Sequence, residues 1–141
     1  MSLELSCSPT TVLLIDSYKE DRENWVQRLS DSAPDYVVLE ADTGASGLAI
    51  CKSQRVDCVI VELDLSDMSG FKVLLNLVPR GPSQDIAVII LSHLNLQALA
   101  DLAINNGALA YLIKSRVSGD DLNMSIWKAI DAVGADKRRH S

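Results

Sequence analysis

Long hydrophobic runs are missing from this chain of 141 residues. No apolar stretch approaches the roughly 18 consecutive residues that a membrane-spanning helix needs, so we expect a protein without a membrane span. The opening residues, Met-Ser-Leu-Glu-Leu, also lack the basic and then apolar order of a signal peptide. Together these absences predict a cytoplasmic location.

Cysteine is scarce, with only Cys7, Cys51 and Cys58 in the chain. Their number is odd and their spacing fits no metal-binding motif, which argues against a disulfide framework or a zinc site. Cys51 and Cys58 lie inside apolar periodic segments, where buried free thiols are common. We therefore expect these thiols to be packed and reduced, as in cytoplasmic proteins.

Basic residues are outnumbered by acidic ones, and the net charge is −6. The only basic cluster, Lys-Arg-Arg-His, occupies positions 137–140. A protein that binds nucleic acid directly normally carries a basic face or a recognition motif within its fold. We therefore expect no direct contact with nucleic acid, and we interpret residues 135–141 as a solvated tail or linker.

The chain does contain an ordinary globular composition, 48% hydrophobic and 23% charged, in a length that suits one domain. Five apolar runs of strand length alternate with segments of helical spacing, which predicts a parallel sheet covered on both faces. With right-handed crossovers, this alternation matches an α/β, flavodoxin-like, doubly wound sheet of strand order 2-1-3-4-5 with five helices. The predicted strands are 11–16, 36–40, 58–62, 86–91 and 109–113. The domain would span 11–134, after an N-terminal extension over 1–10.

Turn and capping residues indicate where the helices begin and end. The first helix is predicted over about 19–30 and the fourth over 95–106, with Gly107 placed to end the latter in a left-handed turn. Pro79 would stop the third helix. Ser118 and Asp121 resemble a capping box that opens the fifth helix.

Four apolar runs end in a polar side chain, and these ends are Asp16, Glu62, Ser92 and Lys114. Because parallel strands share one carboxyl edge, the four side chains should meet there. Ligands of open α/β sheets bind at this edge, at the point where the strand order reverses. Asp16 and Glu62 flank that point in the predicted order.

The order Asp16, Glu62, Ser92, Lys114 resembles the receiver domain of bacterial two-component response regulators over nearly the whole chain. This resemblance implies a signalling module rather than an enzyme with its own substrate, phosphorylated from a histidine-kinase phosphohistidine. Glu62 falls on the family's acceptor position, and Lys114 on the lysine that offsets the phosphoryl charge. Ser92 and Tyr111 match the hydroxyl and the aromatic ring of the family's conformational switch.

The resemblance also implies a magnesium ion held by an acidic pair and the acceptor. The candidate ligands here are Asp16 and Glu62, with Asp64 as a minority candidate because the family uses only the backbone carbonyl of that position. Ser17 replaces the second acid of the pair, and a hydroxyl is a poorer magnesium ligand than a carboxylate. We therefore expect Mg²⁺ to bind weakly.

Two further departures from the family pattern bear on chemistry. The family acceptor is an aspartate, and the extra methylene of Glu62 adds about 1.5 Å of reach. Glu62 is then either a permanent charge that imitates the phosphorylated state or a remnant in a domain that no longer switches. Ser115 replaces a proline that follows a cis bond in the family, so a trans bond with a reshaped loop is one expectation here.

Our leading hypothesis is an atypical receiver that acts by protein–protein contact, with phosphorylation impaired or absent. Its partner would be a histidine kinase or another signalling protein bound through the fourth helix, fifth strand and fifth helix, and a homodimer stays open. The alternative is a magnesium-dependent phosphohydrolase of the haloacid-dehalogenase type, because residues 62–66 superficially resemble its Asp-x-Asp-x-Thr signature. That chemistry needs an aspartate nucleophile, normally on the first strand. A flavodoxin-like electron carrier would need a phosphate-binding loop where this chain has 17–22.

Overall fold

The computed structural model of the chain describes residues 9–78 and 86–140, with only the backbone described for 135–140. Strands and helices alternate strictly. In chain order the elements are β1 (Thr11–Ile15), α1 (Lys19–Ser32), β2 (Val37–Ala41), α2 (Gly44–Ser53), β3 (Cys58–Val61), α3 (Gly70–Leu77), β4 (Ala87–Ser92), α4 (Gln97–Asn105), β5 (Ala110–Ile113) and α5 (Gly119–His140).

The five strands form one sheet in the order β2-β1-β3-β4-β5, and every neighbouring pair is parallel. The predicted doubly wound architecture is confirmed. The strand order reverses between β1 and β3, where Leu13 lies opposite Val59 and Ile15 opposite Val61. Both of these strands end one residue earlier than predicted, so Asp16 and Glu62 are the first residues beyond them.

The core has two layers because successive strand residues point to opposite faces of the sheet. Val12 and Leu14 pack in one layer with residues of α1 and α5, including the buried Trp25. Leu13 and Ile15 pack in the other layer, against residues of α3 and α4. Full burial of such a side chain contributes about 1.5–3 kcal/mol, and these central strands hold the carboxyl edge of the sheet in place.

Two of the predicted helix signals are confirmed by geometry. Gly107 follows α4 with a φ of 108°, in the left-handed region. At the start of α5 the Asp121 N–H donates to Ser118 Oγ at 3.0 Å, and the Ser118 N–H donates to Asp121 Oδ2 at 2.9 Å. Helix α4 begins at Gln97 rather than at position 95, because Leu96 has an extended backbone. Pro79, predicted to stop the third helix, lies outside the described residues.

Helix α5 continues to His140, so most of the predicted tail over 135–141 has a helical backbone. Its role as a tail or linker stays a prediction, as do the domain boundaries. Of the cysteines, Cys58 is buried and Cys51 is partly buried, whereas Cys7 lies outside the described residues. Among the helices of the described part of the chain, none has the length and apolar character to cross a membrane.

Candidate functional site

The four predicted side chains do meet at the carboxyl edge of the sheet. Asp16 follows β1, Glu62 follows β3 and Lys114 follows β5, while Ser92 is the last residue of β4. Asp16 and Glu62 are each 1% exposed, and Ser92 is fully buried. This edge therefore holds two buried acids, one buried hydroxyl and one cation.

The Lys114 ammonium group lies among three carboxylates. Its Nζ is 2.7 Å from Asp16 Oδ2, 2.9 Å from Asp21 Oδ2 and 2.9 Å from Glu62 Oε1. Burial on its own would lower the pKa of Lys114, but the hydrogen bonds to the three acids outweigh burial and raise it. The ammonium form is thus strongly favoured, and it acts as the common counter-ion of the site.

Asp16 is held from its other side by the backbone. The Tyr18 N–H donates to Asp16 Oδ1 at 2.9 Å, while Oδ2 faces Lys114. Burial raises the pKa of Asp16, because loss of water disfavours the charged carboxylate by more than Lys114 and the Tyr18 N–H favour it.

Glu62 accepts hydrogen bonds from four donors. Ser92 Oγ donates to Glu62 Oε2, and the Asp64 N–H donates to the same oxygen at 3.2 Å. The His93 N–H donates to Oε1 at 3.2 Å, and Lys114 Nζ contacts Oε1 as well. Both oxygens are fully engaged, by two side chains and two backbone amides from three different loops.

Gly70, the first residue of α3, allows the backbone of Glu62 to pack closely against the start of this helix. A Cβ atom at position 70 would lie 2.4 Å from the Glu62 carbonyl oxygen and 2.7 Å from Leu63 Cα. The Gly70 N–H donates to the Leu63 carbonyl at 2.8 Å. Any larger residue would push the acceptor strand away from α3, so this glycine fixes the position of Glu62.

The oxygens proposed as metal ligands already have partners. Asp16 Oδ2 and Glu62 Oε1 both contact Lys114, and the Asp64 side chain is about half exposed and contacts Tyr18 and His93. Ser17 Oγ donates to the Asp42 carbonyl at 2.6 Å. No group of three acids, histidines or cysteines in the described part of the chain could hold a metal ion. Because an ammonium group lies between the two buried carboxylates, this donor set does not fit magnesium.

The switch residues are connected through one backbone unit. The Leu94 N–H donates to Ser92 Oγ at 3.1 Å, and the Tyr111 hydroxyl donates to the Leu94 carbonyl at 2.8 Å. Tyr111 is partly buried, and burial is the main reason that its pKa is raised. Ser92 and Tyr111 thus both form hydrogen bonds with Leu94 in the loop between β4 and α4.

The loop after Lys114 has no cis peptide bond, nor does any other described part of the chain. The Lys114–Ser115 bond is therefore trans, which agrees with the expectation for a non-proline residue at position 115. The Arg116 N–H donates to the Ile113 carbonyl at 2.8 Å, closing a turn that directs the chain towards α5.

Three residues near the site were missed by the sequence interpretation. Asp21 lies in the first turn of α1 and binds Lys114, a role that the acidic first turn after Asp16 could have suggested. Tyr18 and His93 both contact Asp64 at the surface of the site. In the sequence, a single loop histidine such as His93 carries no signal of its own.

The comparisons with known proteins agree with this geometry. The family model of the response regulator receiver domain matches residues 12–125. The transcriptional regulatory protein UhpA of Salmonella typhimurium is 35% identical over 112 residues, which cover 79% of this chain and 54% of that protein. The nitrate/nitrite response regulator protein NarP of Escherichia coli is 28% identical over 107 residues, covering 76% and 49% respectively. The chain thus spans about half the length of these curated relatives.

Solved structures show the same similarity. A response regulator receiver domain protein from Clostridium thermocellum is 30% identical with a TM-score of 0.76, covering 87% of this chain and 95% of that one. A CheY-like receiver domain protein from Methanospirillum hungatei has a TM-score of 0.78 at 23% identity, covering 92% and 99%, and supports the fold. No comparison favours a phosphohydrolase, and Glu62 follows the third strand rather than the first. The chain belongs to the response regulator receiver domain family of two-component signalling.

Proposed function

We propose that this receiver signals by protein–protein contact without being phosphorylated, because the Glu62 carboxylate replaces a phosphoryl group. The observation that carries the proposal is the set of four donors on Glu62. The resemblance to the family assigns the Ser92 and Lys114 positions to the phosphoryl oxygens. Here both side chains bind the carboxylate of Glu62 itself.

The chemistry of a longer acid suits this replacement. A glutamate at the acceptor position extends its carboxylate about 1.5 Å further than an aspartate, towards the space of an aspartyl phosphate. Its two oxygens can accept the charge-assisted hydrogen bonds that phosphoryl oxygens would otherwise accept. This negative charge does not depend on phosphorylation. The residues around Glu62 are therefore held as they would be around a phosphoryl group, without any phosphodonor.

The same contacts impair phosphorylation. Phosphoryl transfer depends on positioning of the acceptor oxygen and on charge compensation by a metal ion. In this chain Lys114 already neutralises the acceptor carboxylate and Asp16, and Ser17 supplies no second acid. A displacement of the acceptor by about 1 Å can by itself cost ~10²-fold in rate.

Leu94 and Tyr111 connect the hydrogen bonds around Glu62 to the surface of the protein. Tyr111 also lines a groove of about 300 Å³ between α4 and β5, together with Leu96, Ile104 and Ile113. Leu96 and Ile104 are exposed apolar side chains, and so is Trp127 of α5. We propose that the partner, a histidine kinase or another signalling protein, binds this α4–β5–α5 region.

Phosphorylation of the purified chain tests the proposal. Incubation with acetyl phosphate and Mg²⁺ should leave the intact mass of the wild-type chain unchanged. One added phosphate on most molecules, mapped to Glu62, would show that the site accepts a phosphoryl group and that the proposal is wrong.

A variant in which the acidic residues of the family pattern are restored provides the comparison with the wild type. Glu62→Asp combined with Ser17→Asp shortens the acceptor and adds the missing acid, so its Mg²⁺ affinity in titration calorimetry should rise above that of the wild type. An unchanged affinity in this double variant would refute the explanation of the defect in terms of Glu62 and Ser17.

A further inference from the structure

Three side chains that the proposed function does not use lie on the solvent side of the site. Tyr18 comes from the β1–α1 loop, Asp64 from the β3–α3 loop and His93 from the β4–α4 loop. Each loop follows a strand whose end carries a residue of the buried site, namely Asp16, Glu62 or Ser92. The three side chains therefore lie beside the ends of β1, β3 and β4.

These side chains meet at one oxygen atom. Asp64 Oδ2 accepts a hydrogen bond from the Tyr18 hydroxyl and lies 3.0 Å from His93 Nε2. The rings of Tyr18 and His93 are arranged edge to face, with centroids 5.6 Å apart. Hydrogen bonds to Tyr18 and His93 lower the pKa of Asp64, so the carboxylate form is favoured. Each of the three side chains thus contacts the other two, and these contacts connect the three loops.

The set covers the buried cluster directly. The centroid of the Tyr18 ring is 5.3 Å from Lys114 Nζ, and the side chain of Lys114 is only 9% exposed. Tyr18 itself is 43% exposed, and the side chains of Asp64 and His93 are 49% and 44% exposed. An exposed outer layer thus lies over an inner layer from which water is almost excluded.

We propose that Tyr18, Asp64 and His93, which we name the cap, close the crevice against phosphodonors. This inference rests on the proposed function and adds to it a second barrier, formed by side chains other than that of Glu62. A phosphodonor must bring its phosphorus atom to the acceptor oxygen from the solvent side of the crevice, where the cap lies, and the adjoining groove of about 270 Å³ at Lys114 is also lined by His93. Restoring the acceptor chemistry alone would therefore leave access limited by the opening of the cap.

The contacts of the cap join exposed side chains, so each is weak and the cap can open. If the open form is about 10% populated or less, a reaction that requires it is slowed ~10-fold or more. Truncation of two cap side chains should remove this penalty. The backbone N–H of position 93, which donates to Glu62, is kept in an alanine variant.

The test compares two proteins that share a restored acceptor, Glu62→Asp with Ser17→Asp. One keeps the cap and the other adds Tyr18→Ala and His93→Ala. Both receive acetyl phosphate and Mg²⁺; the aspartate oxygen forms the new P–O bond, acetate leaves, and intact mass gives the rate. The cap-free protein should react about 10-fold faster or more. Adding Lys72→Ala and Leu75→Ala on α3 instead gives a matched control, which should react like the capped protein.

Equal rates with and without the cap, including no phosphate on either protein, would overturn the inference. Failure of the proposed function gives a different result, namely phosphate on Glu62 of the wild-type chain. The two failures are therefore separable in the same mass spectra.

A second measurement needs neither metal nor phosphoryl transfer. Glu62→Cys places a thiol at the acceptor position, and its rate of reaction with N-ethylmaleimide reports access from solvent. Peptide mapping separates this thiol from the native Cys7, Cys51 and Cys58. Tyr18→Ala with His93→Ala should raise the rate at position 62 by about 10-fold or more, and an unchanged rate would equally overturn the cap.

Discussion

At the scale of single residues, one ammonium group compensates a buried acidic cluster. Buried carboxylates are costly unless they are paired, and Asp16 and Glu62 share Lys114 as their partner. Lys114 is therefore both a structural counter-ion and the residue that the family resemblance assigns to the phosphoryl group. In this chain the Lys114 ammonium group is already bound to Asp16 and Glu62, so it is not free to bind a phosphoryl group.

Replacement of Lys114 by methionine tests its structural role. Lys114→Met leaves two buried acids without a counter-ion, and breaking a buried pair in this way typically costs about 3–5 kcal/mol of unfolding free energy. The matched control is Arg55→Met, because Arg55 pairs with Asp57 but is 82% exposed; it should cost less than about 1 kcal/mol. Urea unfolding measures both values. Equal costs for the two variants would contradict the role of Lys114.

The raised pKa of Lys114 also predicts an alkaline dependence. The folded state holds this proton more tightly than the unfolded state, so the stabilisation is complete below the ordinary pKa of 10.5 and is lost as the pH rises above it. The difference in unfolding free energy between wild type and Lys114→Met should stay constant up to that pH and shrink above it. Urea unfolding from about pH 9 to about pH 11.5 measures this difference, and a constant difference throughout would contradict the prediction.

At the scale of elements, the loop between β4 and α4 connects the buried site to the α4–β5 groove. Ser92 binds Glu62 at the start of this loop, and Leu94 binds both Ser92 and Tyr111. Tyr111 contributes to the groove lining on β5. Three hydrogen bonds therefore connect Glu62 to Tyr111 on the proposed partner surface.

Ile104 provides a test of that surface. It lines the groove and is 46% exposed, so Ile104→Ser should change the unfolding free energy by less than about 1 kcal/mol. We expect the same variant to weaken binding to a purified histidine-kinase core. Leu75→Ser on α3 is the matched control, because Leu75 is 53% exposed away from the groove. Equal binding by both variants would exclude the groove as the contact.

At the scale of the whole molecule, the sequence predicts the sheet order and the inner layer of the site. Alternation of apolar runs determines a doubly wound sheet, and the ends of its strands bring Asp16, Glu62, Ser92 and Lys114 together. These positions follow from backbone topology alone. The capping of α5 by Ser118 and Asp121 and the left-handed backbone of Gly107 after α4 were also predicted from short local patterns. Both are confirmed.

The outer layer of the site could not be predicted in this way. Tyr18, Asp64 and His93 meet through side-chain conformations in three loops that are far apart in sequence. The partner of Ser17 is likewise a carbonyl group on another loop. Such contacts depend on how loops pack on each other, and no periodicity or spacing within one segment records that packing.

The central claim is that the Glu62 carboxylate holds the surrounding loops as a phosphoryl group would. Amide hydrogen exchange at Asp64 and His93, whose N–H groups donate to Glu62, tests it most directly. Loss of a charge-assisted hydrogen bond worth about 1.5 kcal/mol or more predicts that Glu62→Ala speeds exchange at both amides by ~10-fold or more. Glu40→Ala, which removes an exposed glutamate paired with Arg22, should leave both amides as in the wild type. Unchanged exchange in Glu62→Ala would contradict the claim.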